Sequence, residues 1–572
     1  MSKNNFRKEV FWTRALLFTL ALVFFVMSAS FNYLKQSPDF VKWSSPDETA
    51  NYFFTKLYVE TGDLRVYEKY NLVADDLVHP RSFRSDNGVL KPVSFLGMIL
   101  IYGSIAKVFG LAVLPYLTPL LGALGIVFFY FLIKEIFSRK VALVAAALLT
   151  FFPPYIYYSA RSFFHNVPFT VFWIIGMYFV VRMIKQKDYT NDISTLIKNK
   201  IIVQKFIWSS LGGFFIGLTL LTRTSEAIWL LPMLLIIWLL NLRRVDWFKF
   251  VIFLCFTWLA LLPMFFWNQA LYGSAFSGGY SEMNTSIQSL VKVSIGGSGP
   301  SQIFSKVRDT IFYFGFNPVM SVKMAYHYFA EMFYWMFWPA ALGLILLLTQ
   351  IKKWKRRHLT YLAAAVPVLI ILILYYGSWK FNDNPDPTRF TIGNSYTRYW
   401  LPVYLAAIPL AAFFLRQFSR WLFRRSRLLS RLGLSFILGI IAVISVNFVV
   451  FGSEEGLMYN LNNNSVDRQI YNKVLAQTEP EAIIITRYHD KIFWPERRVI
   501  LGTLTDDNMD VYYEKLLKLT PVYYFNFTFL EKDVKYLNEN KLIKFGFNIE
   551  PLDKIDSFTL YRLNATSSVL IK

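Results

Sequence analysis

Cysteine is nearly absent from this chain. Cys255 is the single one in 572 residues and lies inside an apolar run, so no intrachain disulfide braces the fold. Charge is scarce as well: Asp, Glu, Lys and Arg make up 17% of the residues, against about 25% in ordinary soluble proteins. Acidic residues are the scarcer sign, 37 against 60 basic, for a net charge of +23. Such an excess would suit nucleic acid if it lined one surface. Instead the basic residues cluster in short loops between apolar runs: Lys134, Arg139 and Lys140; Arg243, Arg244 and Lys249; Lys355, Arg356 and Arg357; Arg416, Arg420 and Arg424. That alternation argues against a nucleic-acid partner.

What is abundant is apolar surface. Hydrophobic residues make up 55% and aromatics 19%, and the mean hydropathy is +0.38. Runs of about 20 apolar residues, enough to cross a bilayer as helix, recur from Ala15 to Phe451. The fold class is therefore a polytopic α-helical membrane protein. The first run is too long, and too poorly ended by small residues, for a cleaved signal peptide. If the basic loops are cytoplasmic, the N-terminus is inside and 11 spans alternate consistently. They are Ala15–Phe31, Ala112–Ile133, Val141–Tyr158, Val167–Ile184, Phe206–Leu221, Ala227–Leu240, Val251–Trp267, Met332–Leu348, Leu359–Tyr376, Tyr399–Leu415 and Leu434–Phe451. Val93–Phe109 is also apolar, but a span there would throw Lys134–Lys140 outside. It reads as a juxtamembrane helix at the outer interface.

The outer side then receives loops 32–91, 269–330 and 377–398 and a tail from Gly452. In the tail, Ala482–Thr486, Arg498–Gly502, Pro521–Asn526 and Phe558–Leu563 are short β-branched or aromatic runs separated by polar helical stretches such as Asp510–Leu519. They predict a small extracytoplasmic α/β domain over 452–572, after a membrane module of 1–451. The tail carries no glycine-rich phosphate loop and no metal-ligand cluster, so packing or acceptor recognition is expected of it.

The middles of the spans are nearly free of charge, which disfavours the intramembrane ionisable residues of a transporter. Ionisable groups gather instead at the outer ends: Asp47, Glu48, His79, Arg161, His165, Arg223, Glu226, Glu331 and Arg398. Adjacent carboxylates such as Asp47-Glu48 repel, so one can hold its proton to higher pH and act as a base near neutrality. The same pair also fits a solvated loop or a helix cap after Pro46. The pattern describes a site at the outer membrane surface, fed from the lipid.

These residues carry a resemblance. The early Asp47-Glu48 is joined by His79-Pro80, and by Lys91-Pro92 leading to Lys107-Val108-Phe109-Gly110. Phe137-Ser138-Arg139-Lys140 and Leu221-Thr222-Arg223-Thr224-Ser225-Glu226 follow, the latter like an "LTRPE" segment with Thr224 in place of proline. Asn268–Gly273 with Gly279-Tyr280, and Thr397-Arg398-Tyr399-Trp400-Leu401-Pro402, which is similar to "RYLLP", complete the series. In this order over about 400 residues the chain resembles the lipid-linked-sugar glycosyltransferases of the GT-C fold. The branch it resembles holds the protein O-mannosyltransferases and the lipid A aminoarabinose transferase.

The resemblance implies a hexosyl or pentosyl transferase in the plasma membrane that takes sugar from a polyprenyl phosphate. The sugar passes to a hydroxyl of a protein, lipid or glycan acceptor with inversion. It implies Asp47 as general base, with Glu48 orienting the acceptor or exchanging roles with it. Arg398 matches a donor-phosphate ligand, since guanidinium grips phosphate oxygens in pairs, or else an interfacial anchor. Arg223 fits the same task or an ion pair with Glu226, three residues on. His165 is a candidate phosphate contact, and His79, Lys91, Arg161, Asn166, Tyr280 and Tyr399 are candidate substrate contacts. Where the family commonly has an acid able to hold a divalent metal, this chain has Asn166. An amide is a poor ligand for hard cations, so metal-independent transfer without a cofactor is expected. The competing readings are a non-catalytic lipid or glycan exporter, and a glycan ligase or polymerase using a diphosphate-linked donor.

Overall fold

The computed structural model describes residues 3–37, 39–186, 195–279, 313–381, 383–384, 386, 388–452 and 454–566. Contacts divide the chain into two compact units. One comprises Met1–Tyr33, Val113–Phe265 and Ser289–Tyr459, the other Leu34–Ala112, Phe266–Gln288 and Asn460–Lys572.

The first unit is a helical bundle. In hydrocarbon every backbone polar group must be satisfied within its own segment, and long apolar helices do this. Among the described residues, 8 helices of the chain are long and apolar enough to cross a membrane, or 10 if each bent pair counts as one span. The 11 expected spans are these together with the helix Ala227–Leu239, whose 13 residues rise only about 20 Å. The expected span Val141–Tyr158 is broken. Helix Arg139–Thr150 stops at Phe151, and Pro153-Pro154 start the next helix, Pro153–Ala160, at a 53° bend. Proline is tolerated there because the first helical turn has no intrahelical use for its N–H. A second pair, Pro318–Glu331 with Tyr334–Thr349, bends by 105°.

Small residues let helices approach closely. Gly213 and Gly217 lie one turn apart on Thr195–Thr222, against Trp247–Tyr272. A Cβ at Gly217 would stand 2.6 Å from the Thr257 carbonyl oxygen, and Thr257 Oγ1 donates to the Gly213 carbonyl at 3.1 Å. This is the small-xxx-small packing of membrane helices.

The second unit holds helix Pro46–Thr61 packed on helix Leu96–Phe109, a 14-residue helix expected to lie outside the spans. It also holds a small antiparallel sheet, order β1-β3-β2, made of β1 (Val66–Tyr67), β2 (Phe83–Asp86) and β3 (Val89–Pro92). A five-stranded sheet follows from β4 (Ile483–Thr486), β5 (Arg498–Leu501), β6 (Val522–Phe527), β7 (Phe547–Ile555) and β8 (Phe558–Ala565). Its order is β5-β4-β6-β8-β7, with β4 parallel to both neighbours and β8 antiparallel to both of its own. Four of these strands coincide with the expected runs. The fifth, β7, carries Pro551 and a bulge between Pro551 and Asp553, which a proline tolerates on an edge strand.

The core of this unit mixes distant pieces of chain. Phe54, Phe83 and Ile99 are buried with Ile484, Phe493, Phe525 and Leu560. The division expected at residue 451 is therefore cut differently. Residues of the first long loop belong with the tail, because their apolar side chains fill the same core.

Candidate active site

In the second unit, Ser45 is the N-cap of helix Pro46–Thr61, with extended backbone at φ −116° and ψ 147°. Its Oγ accepts from the Asp47 N–H at 3.3 Å, and Glu48 Oε2 accepts the Ser45 N–H at 3.0 Å. This is a reciprocal capping box. Glu48, expected to orient the acceptor or exchange roles with Asp47, is fully buried in that closure. Asp47 is half-buried, and its Oδ1 accepts from Ser82 Oγ at 2.7 Å. The positive end of the helix favours negative charge in this first turn.

Ser82 sits at φ 64°, a left-handed conformation uncommon for serine. Its neighbour Arg81 is held by a residue of the tail. The Arg81 backbone N–H donates to Asp490 Oδ2 at 2.8 Å, and its guanidinium donates to Oδ1 at 2.6 Å and 3.1 Å. The expected substrate contacts on this side have structural engagements. Lys91 Nζ donates to the Leu271 carbonyl at 2.7 Å and pairs with Asp86. His79 Nδ1 lies 2.9 Å from the Pro80 carbonyl oxygen, and burial pulls its pKa below the ordinary histidine value.

In the first unit, three arginines gather along two aromatic rings. The broken span ends at Arg161, whose Nη1 donates to Tyr157 OH at 2.8 Å. Its guanidinium lies 4.9 Å from the Phe164 ring centre, and that of Arg398 lies 4.8 Å from the same ring. Arg398 is also 5.0 Å from the Tyr399 ring, and Arg223 lies 4.8 Å from that ring. Cation–π attraction orders each group without neutralising it. Phe163, beside Phe164, has φ 59°, a strained backbone for an aromatic residue and of the kind that collects at functional sites.

Arg223 also pairs with Glu226 at 2.9 Å, and Tyr376 OH donates to the same carboxylate at 2.8 Å. Trp229 Nε1 donates to the other Glu226 oxygen at 2.5 Å. The pair expected from the i, i+3 spacing is formed. Arg398 Nη2 donates to Ser395 Oγ at 2.9 Å. Asn166 Nδ2 donates to the Arg398 carbonyl at 3.2 Å, so this amide steadies the arginine backbone. His165 is buried at the start of helix Asn166–Lys185. Among the described residues no three His, Cys, Asp or Glu side chains group as metal ligands. Tyr280 lies outside the described residues.

A sequence model of the family described as dolichyl-phosphate-mannose-protein mannosyltransferase matches residues 98–267. No curated protein sequence matches the chain. ArnT from Cupriavidus metallidurans bound to undecaprenyl phosphate superposes with a TM-score of 0.54 at 13% identity, covering 97% of this chain and 98% of that one. The fold is that of the GT-C glycosyltransferases. The archaeal oligosaccharyltransferase AglB from Archaeoglobus fulgidus, in complex with an inhibitory peptide and a dolichol-phosphate, shares the GT-C fold. It superposes at TM-score 0.54 and 13% identity over 99% of this chain and 75% of that one. Within this GT-C chain the sequence reading missed Ser82, Arg81, Asp490, Phe164 and Tyr376. Only the first two had a nearby signal, the His79-Pro80 step before them.

Proposed function

We propose that this GT-C protein is an integral-membrane glycosyltransferase that moves a sugar from a polyprenyl phosphate to an acceptor hydroxyl. The observation that carries this reading is the guanidinium locus of Arg161, Arg398 and Arg223 along Phe164 and Tyr399. Several preorganised guanidinium groups suit a phosphate that gains charge as it departs. Two GT-C neighbours support the carrier class: ArnT is bound to undecaprenyl phosphate and AglB is in complex with a dolichol-phosphate. The peptide bound to AglB favours a protein acceptor here.

The chemistry is a single displacement. Asp47 takes the proton of the acceptor hydroxyl as its oxygen attacks the anomeric carbon. The bond to the phosphate oxygen breaks, that oxygen keeps the electron pair, and configuration inverts. Arg398 and Arg161 meet the phosphate, Arg223 stays with Glu226, and no metal is required. The basic loops lie in the cytoplasm of a plasma-membrane protein, with the reaction on the opposite face.

The test is transfer from a synthetic polyprenyl-phosphate sugar by purified protein in liposomes. The Asp47→Asn variant should fold and lose at least about 100-fold in transfer, the low end of general-base contributions. Undiminished transfer by that variant rules out the base. Carrier flux across the vesicle that ignores the substitution points to the exporter.

A further inference from the structure

We infer that the C-terminal α/β segment sets the reactive geometry of Asp47, with Asp490 as a positioning residue acting through Arg81 and Ser82. The inference rests on the reading of Asp47 as the base.

Ser82 gives Asp47 its 2.7 Å hydrogen bond from a left-handed backbone, φ 64°. For a residue with a Cβ this conformation is strained, and it persists only where the surroundings fix both flanks. Residues of the tail fix both. On one side Asp490 accepts the Arg81 backbone N–H at 2.8 Å and the guanidinium at 2.6 Å. Arg81 Nη2 also reaches the Tyr488 carbonyl at 3.2 Å. On the other side Phe83 packs 5.6 Å from the Trp494 ring and 4.7 Å from Phe54, a residue of the helix whose first turn holds Asp47.

Asp490 is itself immobilised. It is fully buried, its carbonyl accepts from the Trp494 N–H at 3.1 Å, and the preceding His489 ring packs 4.5 Å from Phe558 and 5.0 Å from Phe525. A carboxylate buried to that degree normally serves a partner, and its partner is the residue before Ser82. The clamp therefore runs from the β-sheet core through Asp490 and Arg81 to Ser82 Oγ and ends on Asp47.

Loosening the clamp lets Asp47 turn from its proton donor, and an error of about 1 Å in such a contact costs about 100-fold in rate. A lost hydrogen bond to an ionised carboxylate also raises its pKa. The test compares Ser82→Ala, Asp490→Ala and Asp490→Asn in full-length protein with a polyprenyl-phosphate sugar, reading kcat, donor KM, the pH–rate profile and the melting temperature. Ser82→Ala and Asp490→Ala should lower kcat about 10–100-fold, leave donor KM within about 2-fold and move the acid limb of kcat to higher pH. Asp490→Asn, which keeps one acceptor for Arg81, should recover part of the rate. If Asp47→Asn is inactive while both alanine variants keep wild-type kcat and acid limb, the positioning role is overturned and the base stands. If Asp47→Asn is active, the base itself fails. Should Asp490→Ala not fold, Ser82→Ala alone decides by the same two readouts.

Discussion

A helix that begins at Pro46 leaves N–H groups in its first turn without intrahelical acceptors. Glu48, third in that turn, reaches back to the Ser45 N–H, while Asp47, second in the turn, meets Ser82. Glu48→Gln keeps an acceptor in the capping box, so it should retain transfer near the wild-type rate where Asp47→Asn loses it, measured in one assay. The capping-box spacing was legible as Ser45-Pro46-Asp47-Glu48. The contact of Asp47 with Ser82 was not, because Ser82 lies 35 residues away and no local pattern announces it. Arg223 offers a second residue-scale contrast. It is 8% exposed beside a 2% exposed Glu226, so Arg223→Ala strands a buried carboxylate. It should cost about 3–5 kcal/mol, read as a fall in thermal unfolding temperature, a loss that Glu226→Gln combined with it should partly restore.

Helices and strands were more legible than sites. Each apolar run carries its own hydropathy signal, so every expected span has a helix, though helices outrun the expected ends, as Lys3–Lys35 does those of Ala15–Phe31. The breaks were not, since Phe151-Phe152 is as apolar as the helices it separates. The tail strands were found by their β-branched and aromatic runs, and β7 was hidden by Pro551. Two predictions belong to this scale. Gly217→Val would drive a side chain into the Thr257 backbone 2.6 Å away. It should lower the melting temperature in detergent, whereas Gly439→Val, at a glycine with open space around it, should not.

On helix Asp507–Leu517, burial pushes the Asp510 carboxyl up to about 6, although Lys541 pairs with it at 3.3 Å. The folded state thus binds this proton more tightly than the unfolded chain, whose aspartate titrates near 3.8. Stability from the protonated form is full below pH 3.8 and is lost as pH rises through about 6. Unfolding of the second unit should therefore come at lower temperature at pH 7 than at pH 5, and Asp510→Asn should flatten that dependence.

At the scale of the whole molecule, the second unit draws on three stretches separated by membrane helices. Sequence order implied a membrane module followed by a tail, because composition changes sharply at Gly452 and hydropathy is a local quantity. Nothing local could show that Phe83 shares a core with Trp494 and Phe525. The same separation explains why the arginine locus was partly readable: Arg161, Arg223 and Arg398 stand at helix ends, where a charge interrupts an apolar run. The rings that align them are lost among an aromatic fraction of 19%.

Biosynthesis meets this architecture in time. The capping box is local, and Pro46–Thr61 can form within microseconds of reaching open space. The Arg81–Asp490 clamp must wait for a residue 409 positions later, about 20–80 s at ribosomal speeds of roughly 5–20 residues per second. A half-made chain thus carries Asp47 outside the membrane spans for tens of seconds without the contact proposed to aim it. On the proposed reading the full rate arrives only as translation nears the tail, so a chain that stops before residue 490 should insert yet turn over more slowly.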